Sequence, residues 1–241
     1  MSSTKYFFLL LSFLACISIS AQRSISAYGF FSIAETNVTK SFEGFDRDEA
    51  RTSLSGGINY RQEMKSKGFE FSIGLEWIDS GSKYTLLTFG DQIADPGGSI
   101  FDPNFIDDLR IINRLRYLSI PLLWSYGKST QNEKWNCTAS LGGSPDIFIY
   151  RVAISKYITE DGNQRFRKRV GGGNFNPVLF SARGELSIER TLSEKISVFS
   201  DLAYRRGITA HAKKKKNDFR SSNYGVKIGL RYRLGESEEM Q

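Results

Sequence analysis

The chain has 241 residues, with 33 Lys plus Arg against 26 Asp plus Glu, one histidine and two cysteines. Hydrophobic residues make up 40% and charged ones 24%, which excludes both a disordered tail and a helical membrane bundle. So few histidines and cysteines exclude a zinc cluster or a disulfide scaffold, and no metal or cofactor is expected.

Residues 1–21 have the layout of a secretory signal peptide. Lys5 supplies the positive start, Tyr6 to Ile19 form an apolar stretch, and Ser20-Ala21 places small residues before Gln22. After it, no apolar run approaches the ~18 residues that a spanning helix needs. Residues 22–241 then read as one barrel domain. Cleavage would remove Cys16 and leave Cys137 without an internal partner.

The remaining chain shows repeated alternation with a period of two, the mark of strands with one apolar face. The first candidate, 24–34, has two phases, because Tyr28 and Phe30 are out of step with Ile25, Phe31 and Ile33. A second follows at 51–62. The third, FEFSIGLEW, sets Phe69, Phe71, Ile73, Leu75 and Trp77 against Glu70, Ser72, Gly74 and Glu76. The fourth, 114–127, contains Pro121, which cannot donate to a ladder and predicts a bulge or distorted pairing. Gly142, Gly143 and Pro145 predict a break or bend in the fifth, 134–152. The sixth, 178–189, sets Val178, Phe180, Leu186 and Ile188 against Arg183, Glu185 and Glu189. The seventh, 196–206, turns Leu202 and Tyr204 away from Asp201 and Arg205. The eighth, 224–234, alternates Tyr224, Val226, Ile228, Leu230 and Tyr232 with Lys227 and Arg231.

Long connections are expected at 35–50, 78–113, 153–176 and 210–221, and short ones at Glu63–Gly68, Lys128–Lys134 and Thr191–Lys195. Strict alternation of long and short connections predicts an all-β, eight-stranded antiparallel up-and-down transmembrane β-barrel with its short turns on one side. A soluble lipocalin-like barrel binding an apolar ligand would show the same period, with the apolar face turned inward.

Three features favour lipid on the apolar face. An eight-stranded barrel is barely wide enough for its own side chains, and the polar face mixes Gly and Ser with long charged residues. That face carries both signs: Glu70, Glu76, Glu185, Glu189 and Asp201 with Arg61, Arg183, Arg205, Lys227 and Arg231, a set suited to an ion-paired lumen. Tyr60, Phe69, Trp124, Tyr126, Trp135 and Tyr232 cluster at the short-turn ends, as interfacial rings would.

The segment RYLSIPLLWSYG, Arg116 to Gly127, resembles the "YLxIPLLxxY" stretch of outer-membrane barrel proteins of the Bacteroidetes, the PorT-like or porin-family group. The resemblance implies an eight-stranded barrel in the bacterial outer membrane. It does not carry over the secretion role of the group's name-giving member, although a surface or secretion-machinery protein remains a possible kind of partner.

Candidates for chemistry are few. Some barrels of this size modify lipid A with a histidine beside Ser or Asp; His211, in TAHAKKKK, has no such neighbour at a telling spacing, so no enzymatic activity is expected. Lys213, Lys214, Lys215 and Lys216 form a charge run suited to lipopolysaccharide phosphates. Arg165, Arg167, Lys168 and Arg169 make a second basic patch. Nucleic acid is not an expected partner for an exported barrel. The expected role is structural or surface-interacting, with outer-membrane lipid and lipopolysaccharide as contacts.

Overall fold

The computed structural model describes residues 22–38, 48–64, 68–86, 108–129, 134–159, 162–170, 176–210 and 219–234. The signal-peptide segment, His211 and Lys213 to Lys216 lie outside them. The described strands are β1 (Arg23–Val38), β2 (Asp48–Glu49), β3 (Arg51–Glu63), β4 (Phe69–Leu86), β5 (Asp108–Ser119), β6 (Leu122–Ser129), β7 (Trp135–Thr159), β8 (Gly162–Val170), β9 (Val178–Thr191), β10 (Ile196–Gly207) and β11 (Phe219–Leu234). No helix occurs among the described residues.

Every pairing is antiparallel, and the sheet closes on itself. Its order is β1, β3, β4, β5 with β6, β7, β9, β10, β11, and β11 returns to β1 through a register running from Arg23↔Leu234 to Val38↔Phe219. Because β5 and β6 form one interrupted stave, the closed barrel has eight. The interruption falls at Ile120-Pro121, as the proline predicts. The ladder is carried across it by Ile120 N–H donating to the Pro145 carbonyl (3.0 Å) and Gly74 N–H donating to the Pro121 carbonyl (3.0 Å).

Polarity is the reverse of that in a water-soluble fold. Ser, Arg, Glu, Asp and Lys side chains fill the buried interior, whereas Phe31, Leu54, Leu141, Leu186, Leu202 and Leu230 are among the most exposed residues, at 58–72%. The two phases of β1 also separate: Ile25, Phe31 and Ile33 face out, and Phe30 is buried in the lumen.

All four expected long loops are shorter than the sequence suggested: 35–50 gives its start to β1 and Asp48–Glu49 to β2, and 210–221 gives its end to β11. Segment 78–113 contributes Ile78–Leu86 to β4 and Asp108–Asn113 to β5, and 153–176 contributes the end of β7 and all of β8. The barrel is therefore taller on the β4, β5, β7 side. β8 pairs with the upper part of β7, while β9 takes the lower part of the same edge.

β4 does not follow β3 to the top. Their pairing ends at Gly56↔Trp77, and β4 then steps into the lumen. Inward-facing Ser53 donates its hydroxyl to the Asp79 carbonyl, the Asp79 N–H donates to Ser55 Oγ (3.1 Å), and Arg51 donates to the Ser80 carbonyl (3.0 Å). Ser80 Oγ reaches Asn223 of β11 at 3.0 Å, on the far side of the lumen.

The step uses Gly81, whose φ is +127° and where an added Cβ would stand 2.1 Å from the Asn113 carbonyl oxygen. Gly81→Ala is expected to lower unfolding stability by ~1–3 kcal/mol or more, from backbone strain alone. Gly184→Ala, whose Cβ would meet only Leu141 at an ordinary 3.5 Å, should be nearly neutral. Denaturant unfolding of detergent-folded protein compares them; equal losses would contradict the strained step.

Candidate functional site: the charged lumen

Pleat alternation sends each strand's polar residues into the lumen, where water cannot solvate them. Each buried charge therefore needs a partner. At the short-turn end, Arg61 pairs with Glu70 at 2.7 Å, and Arg231 pairs with Glu189, which also accepts from Ser197. A shallow pocket of about 380 Å³ opens there, lined by Glu63, Phe69, Glu70, Tyr126, Lys128 and Asn136.

Halfway up, Lys227 pairs with Glu185 at 2.6 Å and lies over the rings of Tyr28 and Phe30, 4.7 and 5.6 Å from their centroids. These two inward aromatics, the source of the confused phase in the sequence, form an apolar and cation-binding bed for the lysine stem and head. Glycine makes the room: a Cβ at Gly229 would stand 2.5 Å from the Phe199 ring.

Above this layer the densest network forms around Asp146. Its carboxylate accepts from Arg205 (2.5 Å), from Ser144 (2.9 Å), and from Ser119 and Ser181. Arg183 lies 3.9 Å away, bonds the Ser144 and Ser119 hydroxyls at 2.9 and 2.8 Å, and pairs with Glu76. Residues of β4, β5, β7, β9 and β10 are thereby tied together across the barrel. Over the network sits an apolar cluster of Ile78, Leu115, Tyr117 and Leu179, with Phe148 against it, and Arg205 stands over the Tyr117 ring at 5.9 Å.

The structure thus brings Glu70, Glu76, Arg183, Glu185, Arg205, Lys227 and Arg231 into lumen ion pairs. Asp201 requires a correction. It is 3% exposed, opposite Lys227 and Ser187 in the register, but Lys227 is engaged by Glu185, and among the described residues the Asp201 Oδ1 has no hydrogen-bond partner. The geometric reason is that Glu185 lies beside Lys227 on the next stave but one and captures its ammonium.

Sequence reading missed Asp146, Asp79, Arg51 and Asn223. Asp146 had a signal: Thr138, Ser140, Gly142, Ser144 and Asp146 keep one parity through the glycines and Pro145. Arg51 had one too, the parity it shares with Ser53, Ser55 and Arg61; Asp79 had none, since the step of β4 is a tertiary event. Among the described residues no three His, Cys, Asp or Glu side chains are grouped to hold a metal. What this lumen does chemically is to lock staves together and fill the bore.

The class defined by these features is a closed, eight-stranded antiparallel β-barrel with polar interior and apolar exterior. No family model matches the chain, and no curated protein matches it in sequence. Among solved structures, it is similar to a major outer membrane protein from Thermus thermophilus (12% identity, 89% of this chain and 99% of that one, TM-score 0.43). Neisserial surface protein A follows at 9% identity, 88% and 97% coverage and TM-score 0.42. The outer membrane protease OmpT from Escherichia coli has 10% identity, 90% and 97% coverage and TM-score 0.40. Values so low carry no function across; the barrel rests on its own strand pairing.

Removing one partner of a buried pair strands the other, at a cost of ~3–5 kcal/mol. Arg183→Ala should show a loss of that order in urea unfolding of the detergent-folded barrel. Asp201→Asn removes a buried charge that has no ion-pair partner, so stability should hold or rise. A loss as large as that of Arg183→Ala would refute this account of Asp201.

Proposed function

We propose that the chain is a bacterial outer-membrane barrel of structural or surface-contact type, without enzymatic activity. The observation that carries this reading is the apolar exterior bounded by two aromatic rows. At the short-turn end stand Phe69, Trp124, Tyr126, Trp135 and Tyr232, with Phe69 stacked on Tyr126 at 4.9 Å and Arg190 over Trp135 at 5.4 Å. Toward the other end stand Trp77, Tyr150, Tyr204 and Tyr224.

On β11, Tyr224 and Tyr232 bracket Val226, Ile228 and Leu230 on one face. At ~3.3 Å per residue and ~40° tilt their separation is ~26 Å along the strand and ~20 Å across a membrane, close to the apolar band of outer-membrane barrels. In water such a belt would be a large exposed apolar patch. The signal-peptide layout and the PorT-like segment Arg116–Gly127 support the same location.

The soluble-carrier reading needs an apolar interior to receive a ligand, whereas ion pairs and the Tyr117 cluster occupy this one. The lipid-modifying reading rests on His211, outside the described residues. Surface contacts would be made by the taller β4, β5, β7 side, with lipopolysaccharide and a surface or secretion-machinery protein as partners. A barrel so filled is not expected to conduct.

Cell fractionation with electrophoresis of boiled and unboiled samples tests the location. An outer-membrane band that shifts on heating is expected; soluble periplasmic protein would reverse the reading. Leu230→Arg, placing a cation in the belt, should cost ~2–4 kcal/mol of membrane stability and deplete the heat-shifted band. In planar bilayers the wild type should give no steady conductance.

A further inference from the structure

Where β4 leaves β3, three arginines gather around one carboxylate. Arg51, 7% exposed, reaches the step from the inner side of β3 and pairs with Asp79 at 2.7 Å. Arg116 and Arg114, on β5, lie directly opposite Asp79 and Gly81 in the β4–β5 register, which brings their charges close to Arg51. Arg116 stands beside Trp77 and Tyr150 of the outer aromatic row, 5.6 and 5.3 Å from their centroids, and donates to the Tyr150 hydroxyl at 2.6 Å.

Among the described residues neither Arg114 nor Arg116 has a carboxylate partner, and the Nε atoms of Arg51, Arg114 and Arg116 are all buried without a hydrogen-bond acceptor. Arg61, Arg205 and Arg231 also carry an unpaired Nε, but each has its own carboxylate in the lumen. Among the described side chains the cluster at the step has a charge excess that they lack. Half-buried guanidinium groups short of an anion, with planar forked donors, match a phosphate.

We propose that this step is a phosphate site for a glycolipid of the outer leaflet, gripped by Arg114 and Arg116, with the charge of Arg51 behind them held by Asp79 and Ser80. The proposal rests on the membrane location given above and names the ligand class and the residues. Its height assigns the source: the cluster adjoins the Trp77–Tyr150 row, where an outer-leaflet headgroup meets the barrel wall.

The test titrates detergent-purified protein with lipid A and with the same lipid after dephosphorylation, counting bound lipid by native mass spectrometry. Wild type should prefer the phosphorylated lipid by about tenfold or more, and the Arg114→Gln/Arg116→Gln variant should lose that preference. Arg190→Gln, at the opposite aromatic row, should keep it. Equal binding of the two lipids by wild type, or an undiminished preference in the double variant, would overturn the proposal. So would inorganic phosphate competing as well as the lipid, which would mark a site for free anions. The wild-type comparison decides even if the double variant gives no heat-shifted band. Soluble fractionation would overturn the location; membrane-embedded protein without phosphate preference would overturn this inference alone.

Discussion

A carboxylate with no access to water has to be satisfied by its neighbours, and Asp146 meets that condition with groups from four staves of the wall. It is fully buried, and it accepts from Ser119, Ser144, Ser181 and Arg205, with Arg183 within ion-pair range. Arg183 passes the constraint on to Glu76 of β4. Because the network runs from Arg205 on β10 to Glu76 on β4, staves on opposite sides of the ring of eight, it fixes the cross-section of the barrel. The positions of the remaining lumen charges, and the apolar cluster seated above, depend on that cross-section.

This arrangement explains a sequence that places its charges at regular intervals among bulky apolar residues. Ionised side chains face one another where the local dielectric is low, and they are stable only as a connected set. The outward face needs no specific partner, only apolar area in contact with chains of similar polarity. The exterior is consequently uniform, whereas each interior position has its own partner.

Much of this was legible in the sequence, for physical reasons that also mark where legibility stops. β4, β9 and β11 show clear alternation because one face meets an apolar phase and the other a polar bore. Above Trp77 β4 leaves the wall and steps into the lumen, so Ile78–Leu86 and Asp108–Asn113 read as loops while remaining paired strand. Tyr28 and Phe30 blurred β1 because aromatic rings serve two roles, in the belt and beneath Lys227. Asp146 was hidden by Pro145, a residue that signals a turn but here sits opposite Phe180 in an unbroken register. The charged set was readable from its parity, but not its pairing; the orphaning of Asp201 depends on which neighbour reaches Lys227 first. The arginine cluster was not readable, since its members come together only through the step in β4.

The seam between β1 and β11 carries a consequence for how the molecule is made. It is the longest uninterrupted register described, and its two strands lie at opposite ends of the described chain. Until β11 has been synthesised, β1 presents an unpaired edge, and the growing sheet exposes apolar and charged faces that suit neither water nor lipid. Ring closure is therefore among the last events of folding. Loss of the final strand would leave two sticky edges, and the expected fate of such a chain is aggregation or degradation rather than a smaller barrel.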